Sequence, residues 1–187
     1  MKTVKEIKEF IETLEIKDYP KYIEILKNDD RKSVKDLSLR LEKKLLDTKK
    51  EEERLEKINF YENEGYKKGY LYIGGIDEAG RGPIAGPIIA SVVVFKKDTK
   101  IHKIDDSKKL SEKKRNELFE IIKNEALDYG IGIVDNNKID EINILNATIL
   151  AMKKAVNQLE RKPDYVLIDA LNIPSLDIDQ NAIVKGD

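Results

Sequence analysis

Apolar residues at helical spacing fill the first third of the chain. Val4, Ile7, Phe10, Ile11 and Leu14 share one helical face after Thr3, and Asp18 is the expected cap of a short second helix opened by Pro20. Ser33 is the expected N-cap of a third helix, in which Val34, Leu37, Leu41 and Leu45 recur at helical intervals and the pattern runs on toward Leu55 and Ile58. Its middle, Lys49-Lys50-Glu51-Glu52-Glu53-Arg54, has no apolar face and reads as a solvated span between two packed ends. The stretch Gly65-Tyr66-Lys67-Lys68-Gly69-Tyr70 breaks helix and marks the expected boundary between a helical extension, 1–70, and a second domain, 71–187.

Beyond that boundary the pattern changes to strands, expected over Leu71 to Asp77, Ile88 to Phe95 and Tyr129 to Val134. A helix from Ser111-Glu112 to about Leu127 precedes the third strand, and another from Asn143 to about Arg161 carries Leu145, Ile149, Met152 and Val156 as its apolar stripe. Tyr165-Val166-Leu167-Ile168-Asp169 then reads as a buried strand whose carboxyl end delivers an acid to a site. Three strands followed by alternating helix and strand imply an α/β fold, a mixed sheet with helices on its faces. There is no internal repeat.

Composition narrows the picture modestly. With 187 residues, 40% of them hydrophobic and 38% charged, the chain can bury one good core plus a smaller appendage and is expected to be soluble and globular. Thirty-five basic against 36 acidic side chains leave a net charge of -1, so any phosphate binding must come from local patches. The lack of cysteine excludes disulfides, zinc-thiolate sites and thiol nucleophiles. No signal-peptide core follows Met1 and no stretch is apolar and long enough to span a bilayer, so the expected location is cytoplasmic, away from membranes.

The candidate chemistry centres on Ile76-Asp77-Glu78-Ala79-Gly80-Arg81-Gly82-Pro83, where two adjacent carboxylates close an apolar strand before a glycine-rich turn. Acids held together in a poorly solvated place need a compensating cation, and hard oxygen ligands suit magnesium or manganese. Gly80, Gly82 and Gly86 resemble a dinucleotide-binding fingerprint, but their spacing is too long by one residue. Pro83 and Pro87 also lead into a strand instead of the helix that fingerprint must open. Taken alone, Asp77 and Asp169 are equally well ordinary strand-end turn residues, with Glu78 solvated. Arg81 alone could be a surface ion-pair partner, and Lys108, Lys109, Lys113, Lys114 and Arg115 a solvated basic face. His102, the sole histidine, lies in a polar loop and needs no role.

The run from Gly75 to Pro87 closely resembles the opening signature of ribonuclease HII, the bacterial type 2 ribonuclease H. Further segments agree in order: Asp106-Ser107-Lys108-Lys109-Leu110-Ser111, the helix from Ile139 through Met152, Tyr165 to Asp169, and Ile183-Val184-Lys185-Gly186-Asp187. The resemblance spans Leu71 to Asp187, with a helical extension like that of some members from Gram-positive bacteria. It implies a ribonuclease H-like mixed sheet flanked by helices, behind a small all-helical N-terminal domain. It also implies that Asp77, Glu78, Asp169 and Asp187 form a four-carboxylate site for two Mn2+ or Mg2+ ions. Gly80, Arg81 and Gly82 would contact the nucleotide bearing the 2′-hydroxyl, which is what marks RNA within a duplex. Ser107, Lys108 and Lys109, with the amides of their loop, would contact phosphate.

The implied activity is endonucleolytic hydrolysis of the RNA strand of RNA–DNA hybrids and of ribonucleotides embedded in duplex DNA, with a place in ribonucleotide excision repair and DNA replication. The products would carry a 3′-hydroxyl and a 5′-phosphate. The family continues beyond the Lys-Gly-Asp motif with an alanine-rich helical segment, whereas this sequence stops at Asp187. Apolar sheet surface is therefore expected to be exposed, favouring association of this chain, where the full-length form is expected to be a monomer. Two competing readings are a catalytically impaired remnant or nucleic-acid-binding module of the same family, and a helical extension that docks a protein partner.

Overall fold

A computed structural model describes residues 2–82, 86–174 and 176–183. Met1–Ile58 and Asn59–Asp187 form two compact units. The first contains α1 (Val4–Glu12), α2 (Tyr19–Lys27) and α3 (Lys32–Ile58). A reciprocal capping box starts α1: Glu6 N donates to Thr3 Oγ1 at 3.2 Å and Thr3 N to Glu6 Oε2 at 2.6 Å. Asp18 occupies the N-cap position of α2, but its side chain makes no capping bond, and Pro20 in the first turn supplies the helical φ instead.

Ser33 lies inside α3, which begins one residue earlier. The turn before α3 is set by Asp29, whose Oδ1 accepts from the Arg31 amide at 2.9 Å while its carboxylate grips the Arg31 guanidinium at 2.9 and 2.7 Å. These bonds hold the Asp29 carboxyl down to about 2. Ile11, Tyr19, Ile23, Leu26, Val34, Leu37 and Leu41 form the core of this unit, as the helical spacing requires. The charged stretch stays helical, with Arg54 Nε donating to Glu51 Oε2 at 2.8 Å one turn back.

The second unit opens with α4 (Phe60–Lys67), so the anticipated helix break comes only after Lys67, where Gly69 turns the chain at φ 99°. Gly65 belongs inside α4 because a Cβ there would lie 2.6 Å from Ile73 Cδ1 and 3.2 Å from Tyr165 Cδ1. Its absence lets the helix rest on the sheet.

That sheet comprises β1 (Ile73–Ala79), β2 (Ile88–Phe95), β3 (Ala126–Val134), β4 (Tyr165–Asp169) and β5 (Asp179–Ile183), in the order β3-β2-β1-β4-β5. β1–β2 and β2–β3 are antiparallel, whereas β1–β4 and β4–β5 are parallel. β5 was not anticipated as a strand. Two further helices are α5 (Glu112–Glu125), capped by Ser111, and α6 (Asn136–Gln158).

α6 starts seven residues before the expected Asn143, with Asp135 as its cap, and is kinked at Asn143 (φ 67°, ψ 165°). Asn143 Oδ1 accepts from Asn146 N at 3.1 Å, so this residue caps the second, longer segment from within. The buried stripe is Ala147, Thr148, Ala151, Met152, Ala155 and Val156, while Leu145 faces outward at 45% exposure. Small residues dominate because α6 lies directly on β3: a Cβ at Gly130 or Gly132 would overlap the backbone carbonyl of Ala155 or Ala151.

From α6, side chains also reach over the outer edge of β3. Ile131 N donates to Gln158 Oε1 and Lys154 Nζ to Ile133 O, both at 2.9 Å, occupying groups that an added strand would need. The sheet face away from α6 exposes Ile89, Tyr129, Ile131 and Ile133, the last at 53%.

Candidate active site

The carboxyl ends of β1 and β4 bring the strand-end acids together in register. Ile76 pairs with Ile168 across the parallel ladder, so Asp77 and Asp169, one residue on, neighbour each other on adjacent strands. Ile76 and Ile168 are buried at 3% and 1%, and strand alternation turns both aspartates to the opposite face. Asp77 Oδ1 accepts from Glu78 N at 2.7 Å. Alternation also separates Glu78 from Asp77.

The Glu78 side chain is only 10% exposed, with Oε1 3.1 Å from Arg81 Nη1. Its Oε2 is buried without a hydrogen-bond partner. Leaving a buried carboxylate oxygen unsatisfied costs on the order of 1–3 kcal/mol or more.

Beyond Glu78, Gly80 takes φ +101° and its missing Cβ would fall 2.5 Å from Pro87 O, so only glycine allows this turn back toward β2. Arg81 and Gly82 are exposed on it, and Pro83 to Ala85 lie outside the described residues. Beyond half-buried Asp169, Ala170 adopts a left-handed φ of 49°, and its amide donates to Ile183 O at 2.9 Å. Left-handed backbone at a residue carrying a Cβ is costly, and here it directly follows a candidate acid. Sequence inspection gave no sign of it.

Ser107, Lys108 and Lys109 form a short 3-10 turn whose geometry comes from its own bonds. Asp106 Oδ1 accepts from Lys108 N at 2.9 Å, Lys109 N donates to Asp106 O at 2.9 Å, and Leu110 N to Ser107 O at 3.3 Å. Arg115 Nη1 ties the turn down by donating to Ser107 O at 3.2 Å and Leu110 O at 2.6 Å. These loop amides are therefore engaged internally, contrary to the expectation that they face a phosphate. The side chains of Ser107, Lys108 and Lys109 remain exposed, with Lys109 Nζ 3.3 Å from Asp105. His102 is exposed in its loop, as expected.

The family profile "Ribonuclease HII" matches residues 74–186, and "Ribonuclease HII N-terminal domain" matches residues 3–66. A ribonuclease HII of Clostridioides difficile (strain 630) is 70% identical over 186 residues, which cover 100% of this chain and 73% of that protein. This chain belongs to the ribonuclease HII family. A ribonuclease HII of Acetivibrio thermocellus is 46% identical over 185 residues, covering 99% of this chain and 72% of the relative. One from Caldanaerobacter subterraneus subsp. tengcongensis is 54% identical over 138 residues, covering 74% and 57%.

Family membership makes the chain an endoribonuclease of the ribonuclease H class, with the mixed sheet and helical N-terminal region the sequence led one to expect. Among the described residues, no group of three or more His, Asp or Glu side chains is gathered to hold a metal ion. Two reasons are visible. Glu78 alternates away from the aspartate pair, and Asp187, the fourth expected acid, lies outside the described residues. The donors themselves are of the right kind: Asp77 and Asp169 each follow a residue of the paired register of β1 and β4, and Glu78 Oε2 is a buried carboxylate oxygen without a partner, all hard ligands that suit a divalent cation. Among the described residues, no helix is long and apolar enough to cross a membrane.

Proposed function

We propose that this ribonuclease HII-family chain hydrolyses the RNA strand of RNA–DNA hybrids and cuts at ribonucleotides embedded in duplex DNA, leaving a 3′-hydroxyl and a 5′-phosphate. The setting is the cytoplasm, during DNA replication and ribonucleotide excision repair. The observation that carries this reading is the buried, unpartnered Oε2 of Glu78 beside the turn that follows β1. Asp77, Glu78, Asp169 and Asp187 would hold two divalent ions, Mn2+ or Mg2+. The chemistry bound ions would supply is a lowered pKa for the attacking water and neutralisation of charge on the departing 3′ oxygen.

The chain's own residues do the rest. Asp77 and Asp169 each follow the Ile76–Ile168 pair, so neighbouring strands of one ladder would carry both acids to the site. Arg81 rests on Glu78 Oε1 and, being exposed, can turn its guanidinium to a phosphate. Gly80 and Gly82 let the backbone approach the 2′-hydroxyl closely. Ser107, Lys108 and Lys109 grip the nucleic-acid backbone through side chains, so binding weakens as salt rises.

The test is cleavage of a duplex containing one ribonucleotide, in Mn2+, by this chain and by Asp77→Asn. Cutting by the parent and none by the variant is expected; equal cutting by both removes the assignment of Asp77. No cutting by the folded parent, with duplex binding retained, would instead favour a nucleic-acid-binding module.

A further inference from the structure

After Asp169 the chain leaves the sheet through left-handed Ala170 and returns as β5. Between these points it is bracketed by one side chain. Gln180 Oε1 accepts from Ile173 N at 2.8 Å, and Gln180 Nε2 donates to Ile173 O at 3.0 Å. The amide thus copies both hydrogen bonds that a neighbouring strand would make to Ile173. The Ile173 side chain is 1% exposed and packs in the core that contains Ile76 and Ile168. Gln180 is itself fixed, standing in register with Val166 on β4. A second tether, Ala170 N to Ile183 O at 2.9 Å, closes the other side of the loop. The first fastening follows Asp169 directly, at Ala170, and the bracket follows at Ile173.

We propose that Gln180 is a positioning residue for Asp169: by bracketing Ile173 it fixes the path of the chain out of β4 and so the direction of the Asp169 carboxylate. This rests on the reading of Asp169 as a working acid of the site. Glutamine suits the place because one planar group both donates and accepts at the required reach. Glutamate keeps the acceptor but sets a charged oxygen against Ile173 O. Methionine keeps the length and loses both bonds. Residues that orient a ligand from behind typically change metal affinity or activity about 10–100-fold when removed.

The experiment compares the parent chain, Gln180→Met, Gln180→Glu and Asp169→Asn. It measures steady-state cleavage of a ribonucleotide-containing duplex, Mn2+ affinity by calorimetry, and folded fraction by circular dichroism. Both Gln180 variants are expected to stay folded, to lose kcat about 10–100-fold with KM for the duplex within twofold, and to bind Mn2+ about tenfold more weakly. Folded variants whose kcat and Mn2+ affinity stay within twofold of the parent would overturn the proposal. So would a loss of kcat that only tracks the folded fraction, and if Gln180→Met does not fold, Gln180→Glu decides by the same criteria. Asp169→Asn separates the two ideas. If it cleaves like the parent, the reading of Asp169 fails; if it is inactive while the Gln180 variants are normal, only the positioning role fails.

Discussion

Acids stand at both ends of the parallel strand pair β1–β4, and their oxygens are occupied in opposite ways. At the amino end, Asp164 accepts from Leu71 N at 2.8 Å and Tyr72 N at 2.9 Å, while its own amide donates to Tyr72 O at 2.9 Å. Asp179 accepts from the Tyr70 hydroxyl at 2.6 Å, and the Tyr70 ring stacks on Tyr165 with centroids 4.4 Å apart. At the carboxyl end, Glu78 keeps a buried oxygen without a partner, and Gly80 and Ala170 turn the chain through left-handed backbone. Both ends carry carboxylates. What separates Asp164 and Asp179 from Glu78 is that donors of the fold meet the former, whereas Glu78 keeps Oε2 without one.

The sharpest way to break this contrast is to neutralise one acid at each end. Glu78→Gln should reduce Mn2+-dependent cleavage by about 1,000-fold or more if, as proposed, the carboxylate holds a cation. The same change should raise metal-free stability by about 1 kcal/mol in a urea titration, since it removes a buried charge. Asp164→Ala should do the reverse. It should lose about 1–2 kcal/mol of stability, as two charge-assisted bonds to strand-entry amides disappear, while kcat of the folded protein stays within twofold. A drop in kcat comparable to that of Glu78→Gln would erase the distinction between the ends.

Alkaline pH probes the amino end through one hydroxyl. The bond to Asp179 pushes the Tyr70 hydroxyl from 10.0 up to about 12. A raised folded value means that the protonated hydroxyl is the stabilised form, so the bond contributes fully below about pH 10 and is lost as pH rises through about 12. The melting-temperature gap between the parent and Tyr70→Phe should therefore be flat from neutrality to about pH 9 and close above it. A gap that widens above pH 10 would contradict the assignment of the hydroxyl as donor.

The smallest effect belongs to Ala170→Gly. Relieving left-handed backbone should add about 0.5–1 kcal/mol of stability, measurable as a shift in urea midpoint at constant slope. Destabilisation would mean that Ala170 is held there by contacts its methyl makes.

Much of this architecture can be read from residue patterns. Local spacing determines the N-terminal helices, and uninterrupted apolar runs mark β2 and β4, so both strands end where the sequence indicates. β5, Asp-Gln-Asn-Ala-Ile, carries no such run; its extended form comes from pairing with β4, a contact invisible in its own residues. Large apolar residues predict a helix from Asn143 to about Arg161, whereas α6 begins at Asn136 and its packing depends on alanines matched to glycines on β3. Asp77, Glu78 and Asp169 stand out as acids closing apolar strands. The unpartnered oxygen of Glu78, the left-handed Ala170 and the bracket at Gln180 depend on three-dimensional neighbours, so no local motif announces them.

The match between Gly130, Gly132 and the carbonyls of Ala155 and Ala151 limits how this protein can drift. A side chain that meets a larger neighbour can rotate, but a peptide group inside a hydrogen-bonded helix has nowhere to go, so any β-carbon at either glycine would prise the helix off the strand. Ile88, Val92 or Met152 can be exchanged for residues of similar volume with modest loss. Those two backbone positions admit a single amino acid, and a saturation library scored for folding should return glycine at both while the surrounding apolar layer varies freely.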